Sequence, residues 1–244
     1  MATILELKNV SFSAQNQNIV QNLDCTFEEG KATALVGPSG CGKSTVLKLA
    51  AGILIPNQGV VEFRGRDIYK LSRRENLDFR RESAFVFQDS ALWANQDLFH
   101  ILELPLLVHF PDMSKSDRLT RIMEVVEEVG YRRDLYIRPA NLSMGEQKLI
   151  AFARALICGP HIFFLDEWAE SLDDKAAQHL TRLIAKRQKE QKTIIFITHD
   201  FRFIKSLADH IIMILGGKMF LKLTREQIDA DRDLARYIEM GISS

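Results

Sequence analysis

A glycine-rich loop between an apolar stretch and a helical pattern is the feature that most constrains how this chain folds. Ala32–Val36 is mostly apolar and predicts a buried strand, and the apolar residues of 46–51 predict a helix. The loop between them fits the pattern G-x-x-x-x-G-K-[ST], and a match in this context predicts a phosphate site. Its residues are Gly37, Pro38, Ser39, Gly40, Cys41, Gly42, Lys43, Ser44 and Thr45.

The residue types of this loop suit a nucleotide phosphate. Glycines let the backbone curl around a phosphate without Cβ clashes, and the loop amides with the helix N-terminus present a partial positive charge. Lys43 supplies a full charge to the β- and γ-phosphates, and the Ser44 hydroxyl can ligate Mg²⁺. We expect Cys41 to be a spacer and not a nucleophile.

Two acidic residues follow a second apolar strand. Residues 162–165 are apolar, and Asp166 and Glu167 stand at their C-terminal end, where open α/β sheets bind ligands. Asp166 can orient the Mg²⁺ shell, and Glu167 can polarise a water for attack on a γ-phosphate. Taken alone, the pattern would equally fit a strand that ends in solvated acids. Together with the phosphate loop it favours a catalytic pair.

The order of elements predicts an α/β fold. Residues 1–30 read as two antiparallel strands with a turn near 14–18, and later strands and helices alternate, which indicates a parallel sheet covered by helices. Residues 98–110 are helical in pattern but interrupted by Pro105, and a helix capped by Ser114 or Ser116 runs to about Val129. Further strands are predicted at 60–63, 84–87, 162–165, 193–198 and 210–215, and further helices at 146–158, 175–190 and 201–207.

The predicted architecture is a parallel sheet core of the phosphate-loop NTPase type with an antiparallel N-terminal β layer and an inserted helical lobe. We expect one domain over 1–244, with a nucleotide-binding core at about 1–90 and 160–244 and a helical lobe at about 91–159.

Composition excludes several other classes. Lys+Arg and Asp+Glu are both 32 among 244 residues, and this neutral balance argues against a general nucleic-acid binder. No run approaches the roughly 20 apolar residues of a spanning helix, and the N-terminus lacks a secretory pattern. Cys25, Cys41 and Cys158 are scattered, so they predict neither disulfides nor a zinc site and suit a reducing cytosol.

Further short motifs, taken with the two above and in this order, make the chain resemble the nucleotide-binding subunit of an ATP-binding cassette transporter over nearly its full length. Gln88 matches the family's glutamine loop, and His199 matches its switch histidine. The signature, usually Leu-Ser-Gly-Gly-Gln, is Leu142-Ser143-Met144-Gly145-Glu146 here, and Ser171-Leu172-Asp173 matches the loop that crosses the dimer interface.

The resemblance implies a dimer that holds two Mg·ATP, each between the phosphate loop of one chain and the signature of the other. It implies nucleotide contacts from Ser143, Gly145, Glu146 and Asp173. The implied catalytic residues are Lys43, Gln88, Glu167 and His199, and the implied metal ligands are Ser44, Gln88 and Asp166. The partner is a second copy or a homologous subunit, together with membrane permease subunits, and no nucleic acid. The chain would lie peripherally at the cytoplasmic face of the inner membrane and contact it through its partners.

Several positions depart from the family pattern. Met144 and Glu146 replace a glycine and a glutamine of the signature, and Trp168 stands where proline is usual after Glu167. Ala14 lies where an adenine-stacking aromatic is common, and the nearby Phe12 fits the core alternation. Leu149 replaces a frequent arginine.

The cargo is open at this stage. A resemblance to ATPases of lipid-trafficking systems, of the mammalian-cell-entry and lipid-asymmetry type, is found in three segments: 87–93, 104–106 and the tail 233–241. Segments 86–89 and 142–147 resemble lipoprotein-release and macrolide-export ATPases, and small-solute uptake is a third alternative. A non-transport cassette ATPase and a cassette that only binds nucleotide are two further alternatives.

Two segments allow either a structural or a binding role. The basic run 64–81 fits a solvated face or a surface near anionic headgroups, and residues 98–110 fit either core or a groove for a partner helix.

Overall fold

A computed structural model describes residues 2–230 and has ten strands and eight α-helices within them. The strands are β1 (Thr3–Ala14), β2 (Gln17–Glu28), β3 (Ala32–Val36), β4 (Gln58–Phe63), β5 (Arg66–Asp67), β6 (Ser83–Val86), β7 (Ile162–Asp166), β8 (Thr193–Ile197), β9 (His210–Leu215) and β10 (Lys218–Thr224). The helices are α1 (Lys43–Ala50), α2 (Arg73–Glu82), α3 (Leu98–His109), α4 (Lys115–Glu128), α5 (Met144–Leu156), α6 (Asp174–Lys189), α7 (Phe201–Leu207) and α8 (Arg225–Ala230).

The strands form two sheets, and this confirms the predicted fold class. An antiparallel sheet has the order β2-β1-β4-β5, and a larger sheet has the order β10-β9-β3-β8-β7-β6. All neighbours in the larger sheet are parallel except β10, which runs antiparallel to β9. Because β3 and β7 both flank β8, the loops that leave their carboxyl ends reach the same edge of the sheet. Those loops carry the two motifs predicted to bind and hydrolyse a nucleotide.

Two apolar clusters cover the two faces of the larger sheet. On one face, side chains of the antiparallel sheet such as Leu5, Phe27 and Val61 pack with α1 against the sheet. On the other face, residues of α3, α4 and α5 pack with sheet residues such as Leu165 and Phe196 in a single cluster. The strands β3, β7 and β8 are buried throughout, as expected for strands covered on both faces. Phe12 packs against the first cluster, as predicted.

Pro105 does not interrupt α3, so that prediction was wrong. A proline removes one backbone donor, but the helix continues through it from Leu98 to His109. The buried residues Ile101, Leu102 and Leu106 flank the proline and hold both halves of the helix against the same core. Burial on one apolar face therefore outweighs the local loss of a hydrogen bond.

Helix α4 begins after Ser114, whose hydroxyl accepts a hydrogen bond from the backbone N–H of Asp117 at 3.1 Å. Of the two predicted caps, the structure therefore uses the first. The apolar face is rotated from the predicted one, because Val125 is buried while Leu119 and Met123 are about half exposed. The face of α4 that packs on the core is therefore built on Ile122, Val125 and Val126, and it leaves Leu119 and Met123 at its edge.

Helix α2 and strand β10 are among the elements that were not predicted, and neither shows a clear apolar period. Helix α2 has a single buried residue, Phe79, and it begins in a capping box between Ser72 and Glu75. Strand β10 is half exposed along its length.

Within the basic run 64–81, ion pairs join Arg64 to Glu29 and Glu82, Arg66 to Glu75, Lys70 to Asp67 and Arg81 to Asp78. These pairs favour the solvated face over a free basic surface.

No helix among residues 2–230 combines the length and the apolar character needed to cross a membrane. The tail segment 233–241, one of those that resembled the lipid-trafficking ATPases, lies outside the described residues.

Candidate functional site

The phosphate loop between β3 and α1 is packed too closely for side chains at its key glycines. Gly37 has a φ of 144°, and a Cβ atom there would lie 2.2 Å from the carbonyl oxygen of Ile214. Gly42 has a φ of 104°, and a Cβ atom there would lie 2.9 Å from the carbonyl oxygen of Ile19. Glycine is therefore required by both conformation and space at these two positions. The loop is held between β2 and the end of β9.

Helix α1 begins directly at Lys43, and its N-cap residue Gly42 offers no side chain to the first amides. These amides therefore remain available to an anion, with the helix dipole favouring negative charge. The Lys43 ammonium donates to the carbonyl oxygens of Gly37 at 2.7 Å and Pro38 at 2.8 Å. An ammonium has three donors, so one remains that can be directed to a phosphate.

The two predicted metal ligands from different motifs are in contact. The Ser44 hydroxyl donates to Oδ1 of Asp166 at 2.9 Å. Asp166 is buried, and this burial raises the pKa of its carboxyl above the usual value, partly offset by the Ser44 hydrogen bond. A buried carboxylate beside a hydroxyl is a set of hard oxygen ligands that fits Mg²⁺, because the cation would compensate the desolvated charge.

Glu167 lies between two of the other predicted catalytic side chains. Its Oε1 is 2.8 Å from Nε2 of His199, and its Oε2 accepts a hydrogen bond from the Gln88 amide at 3.1 Å. The same amide nitrogen donates to Glu170 at 3.0 Å, which turns the amide oxygen of Gln88 away from both carboxylates. The backbone of Glu167 has a φ of 44°, which lies in the left-handed region that residues other than glycine seldom adopt.

The signature forms a capped helix start. The backbone N–H and the hydroxyl of Ser143 donate to Oε2 of Glu146 at 2.9 and 3.0 Å, and the Ser143 hydroxyl accepts from the Glu146 N–H at 3.2 Å. Arg133 donates to both carboxylate oxygens of Glu146 at 3.0 Å. A Cβ atom on Gly145 would lie 3.2 Å from the carbonyl oxygen of Ser171. Asp173 caps α6 by accepting from the Ala176 N–H at 2.8 Å.

The predicted residues therefore fall into two groups within one chain. The phosphate loop, Asp166, Glu167, Gln88 and His199 meet at the carboxyl edge of the larger sheet. Ser143, Gly145 and Glu146 lie beside the loop that contains Ser171 and Asp173, and no hydrogen bond within residues 2–230 joins them to the phosphate loop. The two groups are therefore not joined by a hydrogen bond in this part of the chain.

Sequence reasoning missed three residues that contact this machinery: Glu170, Arg133 and Lys148. Lys148 is buried, and its ammonium donates to the backbone carbonyls of Phe87 and Gln88 at 3.1 and 2.5 Å. Burial lowers its pKa from the usual value, against the opposing effect of nearby carboxylates such as Glu170. A lysine at helical spacing from the apolar Ala151 and Phe152 was the available signal in the sequence.

Trp168, which follows Glu167, is completely buried. Its ring packs against Phe152 of α5 at 6.0 Å and against Phe203 of α7 at 5.1 Å between centroids. It thus joins the helix that follows the signature to the helix that follows His199. Its indole Nε1 is buried without a hydrogen-bond partner in the described part of the chain.

Comparison with known proteins shows the family. The sequence profile described as "ABC transporter" matches residues 20–170, which is more than half of the chain. The chain belongs to the ABC transporter family. Proteins of this family are ATPases coupled to transport, and this ABC subunit is an ATP-binding ATPase of that kind.

Two curated ABC relatives differ in what their names say they transport. The intermembrane phospholipid transport system ATP-binding protein MlaF of Haemophilus influenzae is 34% identical over 233 residues, which cover 95% of this chain and 88% of MlaF. The nickel import ATP-binding protein NikE of Escherichia coli (strain K12) is 32% identical over 233 residues, which cover 93% of this chain and 87% of NikE.

Solved structures of ABC subunits agree with the fold. A dimeric post-hydrolysis structure of the cassette MJ0796, bound to ADP and Pi, has a TM-score of 0.83 and 28% sequence identity, with 91% of this chain and 99% of that chain covered. The fold alone is shared with cbiO1 from Clostridium perfringens, a part of the cbiONQ transporter complex, with a TM-score of 0.77 at 22% identity, covering 98% of this chain and 96% of that one. Dimeric cassettes and membership of a transporter complex are thus found among its structural neighbours.

Proposed function

We propose that two copies of this chain, or one copy and a homologous subunit, bind two Mg·ATP between them and hydrolyse the γ-phosphate bond with Glu167 as the base. The observation that carries this proposal is the position of Glu167 between His199 and Gln88, next to the Ser44–Asp166 pair. Within residues 2–230 no hydrogen bond joins the signature to the phosphate loop, and this supports a site completed by a partner.

In this proposal the phosphate loop binds the nucleotide. The backbone amides of residues 37–45 surround the β-phosphate, and Lys43 directs its remaining donor to the β- and γ-phosphates. Ser44, Asp166 and the amide oxygen of Gln88 would hold Mg²⁺, which supplies charge neutralisation at the phosphate oxygens.

The hydrolytic step uses groups that are already oriented. The Glu167 carboxylate accepts a proton from the attacking water, whose oxygen bonds to the γ-phosphorus as the bond to the β-phosphate oxygen breaks. His199 holds one oxygen of Glu167 and can donate a hydrogen bond to the γ-phosphate. Signature residues Ser143 and Gly145 of the partner would contact the same phosphate from the opposite side.

Substitution of the base tests the enzymatic part. We expect Glu167→Gln to abolish turnover of Mg·ATP and to retain an ATP-dependent dimer, because an amide cannot accept the proton but keeps the contacts. Glu127→Gln is the matched control, since Glu127 is an exposed carboxylate on α4. It should keep most of the turnover. Full activity of Glu167→Gln would remove the assignment of the base.

We further propose that the subunit drives membrane permease subunits from the cytoplasmic face of the inner membrane and that the cargo is a phospholipid. Segments 87–93 and 104–106, which resemble lipid-trafficking ATPases, and the similarity to MlaF support this choice. The similarity to NikE, at 32% identity against 34% for MlaF, makes nickel uptake the main alternative.

A reconstituted complex separates the two cargoes. The chain is purified together with the membrane subunits that accompany it, and the complex is placed in phosphatidylethanolamine and phosphatidylglycerol vesicles. We expect ATP-dependent movement of a fluorescent phospholipid, and none with Glu167→Gln. ATP-dependent accumulation of Ni²⁺ without lipid movement would overturn the lipid assignment and leave the ATPase assignment intact.

A further inference from the structure

The signature of this chain carries a carboxylate where the family usually has an amide, and that carboxylate is paired. Glu146 is three residues after Ser143, and its Oε2 holds both the N–H and the hydroxyl of Ser143. These hydrogen bonds, the backbone one first, and the neighbouring Arg133 lower the pKa of Glu146 from its usual value. The group is therefore an anion at neutral pH.

An anion in the first turn of α5 is a problem for a site that must receive a triphosphate. A carboxylate stabilises a helix N-terminus by its favourable interaction with the dipole, but it repels a phosphate that approaches the same amides. The Ser143 hydroxyl is also directed to this carboxylate and not to an incoming ligand. Without a compensating positive charge, the repulsion weakens the contact that the signature makes with a nucleotide.

Arg133 provides that compensation from a different segment of the chain. It lies in the loop between α4 and α5, and one nitrogen, Nη1, is 3.0 Å from each oxygen of Glu146. The same nitrogen donates to the backbone carbonyl of Asn141 at 3.3 Å, so the arginine is also tied to the turn that leads into the signature. Glu146 in return raises the pKa of Arg133.

We propose that Arg133 is a positioning residue of the signature: its charge neutralises the Glu146 carboxylate in the helix cap, so that the start of α5 no longer repels the γ-phosphate bound by the partner chain. Arg133 acts through Glu146 and does not touch the nucleotide. The inference rests on the proposed ATP dimer and deepens it by naming a residue that the family motifs do not contain.

This mechanism predicts that the effect of losing Arg133 depends on the charge at position 146. In Arg133→Ala the carboxylate is uncompensated, and the ATP concentration for half-maximal dimerisation should rise about tenfold, as for the loss of one hydrogen bond to a charged group. Glu146→Gln removes the charge and keeps an acceptor for Ser143. The double variant should therefore return to within about twofold of the protein with Arg133 and Glu146 intact.

The experiment measures ATP-dependent dimerisation of the full chain by sedimentation velocity, with all variants in the Glu167→Gln background so that nucleotide is not consumed. The KM and kcat of ATP hydrolysis are measured in parallel with Glu167 present, and KM should carry most of the change. Arg133→Lys, which keeps the charge, should behave nearly as the unchanged protein. Arg132→Ala is the matched control, since Arg132 is the exposed neighbour of Arg133.

Each outcome decides between alternatives. Rescue of Arg133→Ala by Glu146→Gln supports the inference, because a purely structural loss or a direct contact between Arg133 and phosphate would not be repaired by removing a carboxylate. Failure of rescue, or no effect of Arg133→Ala, overturns it. If the protein with Arg133 and Glu146 intact neither dimerises with ATP nor hydrolyses it, the proposed function fails instead. Arg133→Lys and the double variant keep the test valid if Arg133→Ala does not fold.

Discussion

The ammonium of Lys148 lies 2.5 Å from the backbone carbonyl oxygen of Gln88. It also donates to the carbonyl of Phe87, and it is buried on α5, the helix that starts at the signature. One side chain thus joins the signature helix to the backbone of the residue whose amide contacts Glu167. Two hydrogen bonds therefore connect α5 to the carboxylate of Glu167, the proposed base.

The first prediction concerns this connection. Lys148→Met keeps the volume and removes the donor, so two carbonyls lose a partner and kcat should fall about tenfold with a smaller change in KM, since a hydrogen bond from a charged group contributes about 1.5–3 kcal/mol. Steady-state ATPase assays measure both constants. Lys189→Met, at an exposed position of α6, is the control and should be unchanged. A loss of stability with an unaltered kcat would make Lys148 purely structural.

The second prediction separates His199 from nucleotide binding. His199→Ala removes the group that holds Oε1 of Glu167, and kcat should fall by about a hundredfold or more, as for other donors lost at a reacting phosphate or carbonyl. The affinity of the isolated chain for a fluorescent ATP analogue should stay within about threefold, because the phosphate loop is intact. A large loss of affinity with normal turnover at saturation would contradict this role.

The third prediction concerns Trp168. Trp168→Ala leaves a cavity between α5 and α7 and should lower the free energy of unfolding by about 3–5 kcal/mol. Trp168→Phe keeps a ring against Phe152 and Phe203 and removes the unpartnered indole N–H, so it should lose less than half as much. Urea unfolding followed by circular dichroism measures both. Equal losses in the two variants would show that the ring contacts contribute little.

The fourth prediction follows from the pKa values of two thiols. Burial raises the pKa of Cys25 to about 12 and that of Cys158 to about 11. At pH 8 their thiolate fractions are roughly one in ten thousand and one in a thousand, so both should react slowly with iodoacetamide. Cys41 is only half-buried in the phosphate loop and should be alkylated first.

Peptide mass spectrometry gives the order of this alkylation. Raising the pH should increase labelling of Cys158 before that of Cys25, since its pKa is lower, and Mg·ATP should slow labelling of Cys41. In urea all three thiols should react at similar rates, which is the control for peptide recovery. Early labelling of Cys25 in the folded protein would contradict its burial.

The sequence predicts the parts of the site that local motifs determine. The phosphate loop is specified by consecutive residues between a strand and a helix, and Asp166 and Glu167 follow a strand that is apolar throughout, so both were placed correctly at the sheet edge. The bounds of β3 and β9 were also predicted correctly. Such features need no knowledge of which elements pack together.

Contacts between distant segments could not be predicted in this way. Arg133 lies in the loop before α5, whereas Glu146 lies in α5 itself. Lys148 donates to backbone carbonyls some sixty residues earlier in the chain. Helix α2 has one buried residue and is held by its capping box, so it lacks the apolar period that identifies helices. Pro105 was misjudged because the burial of its neighbours, which only the tertiary structure shows, decides whether the helix continues.

The closeness of Gly145 to Ser171 has a consequence for a dimer. In the proposed assembly Gly145 contacts the nucleotide bound by the partner. Ser171 lies a short turn after Glu167, which acts on the chain's own nucleotide. A Cβ at Gly145 would already press on the Ser171 carbonyl, so there is little free space between them. Each chain is then a stiff link between two reaction centres, and a change of position at one centre is transmitted to the other within a single subunit.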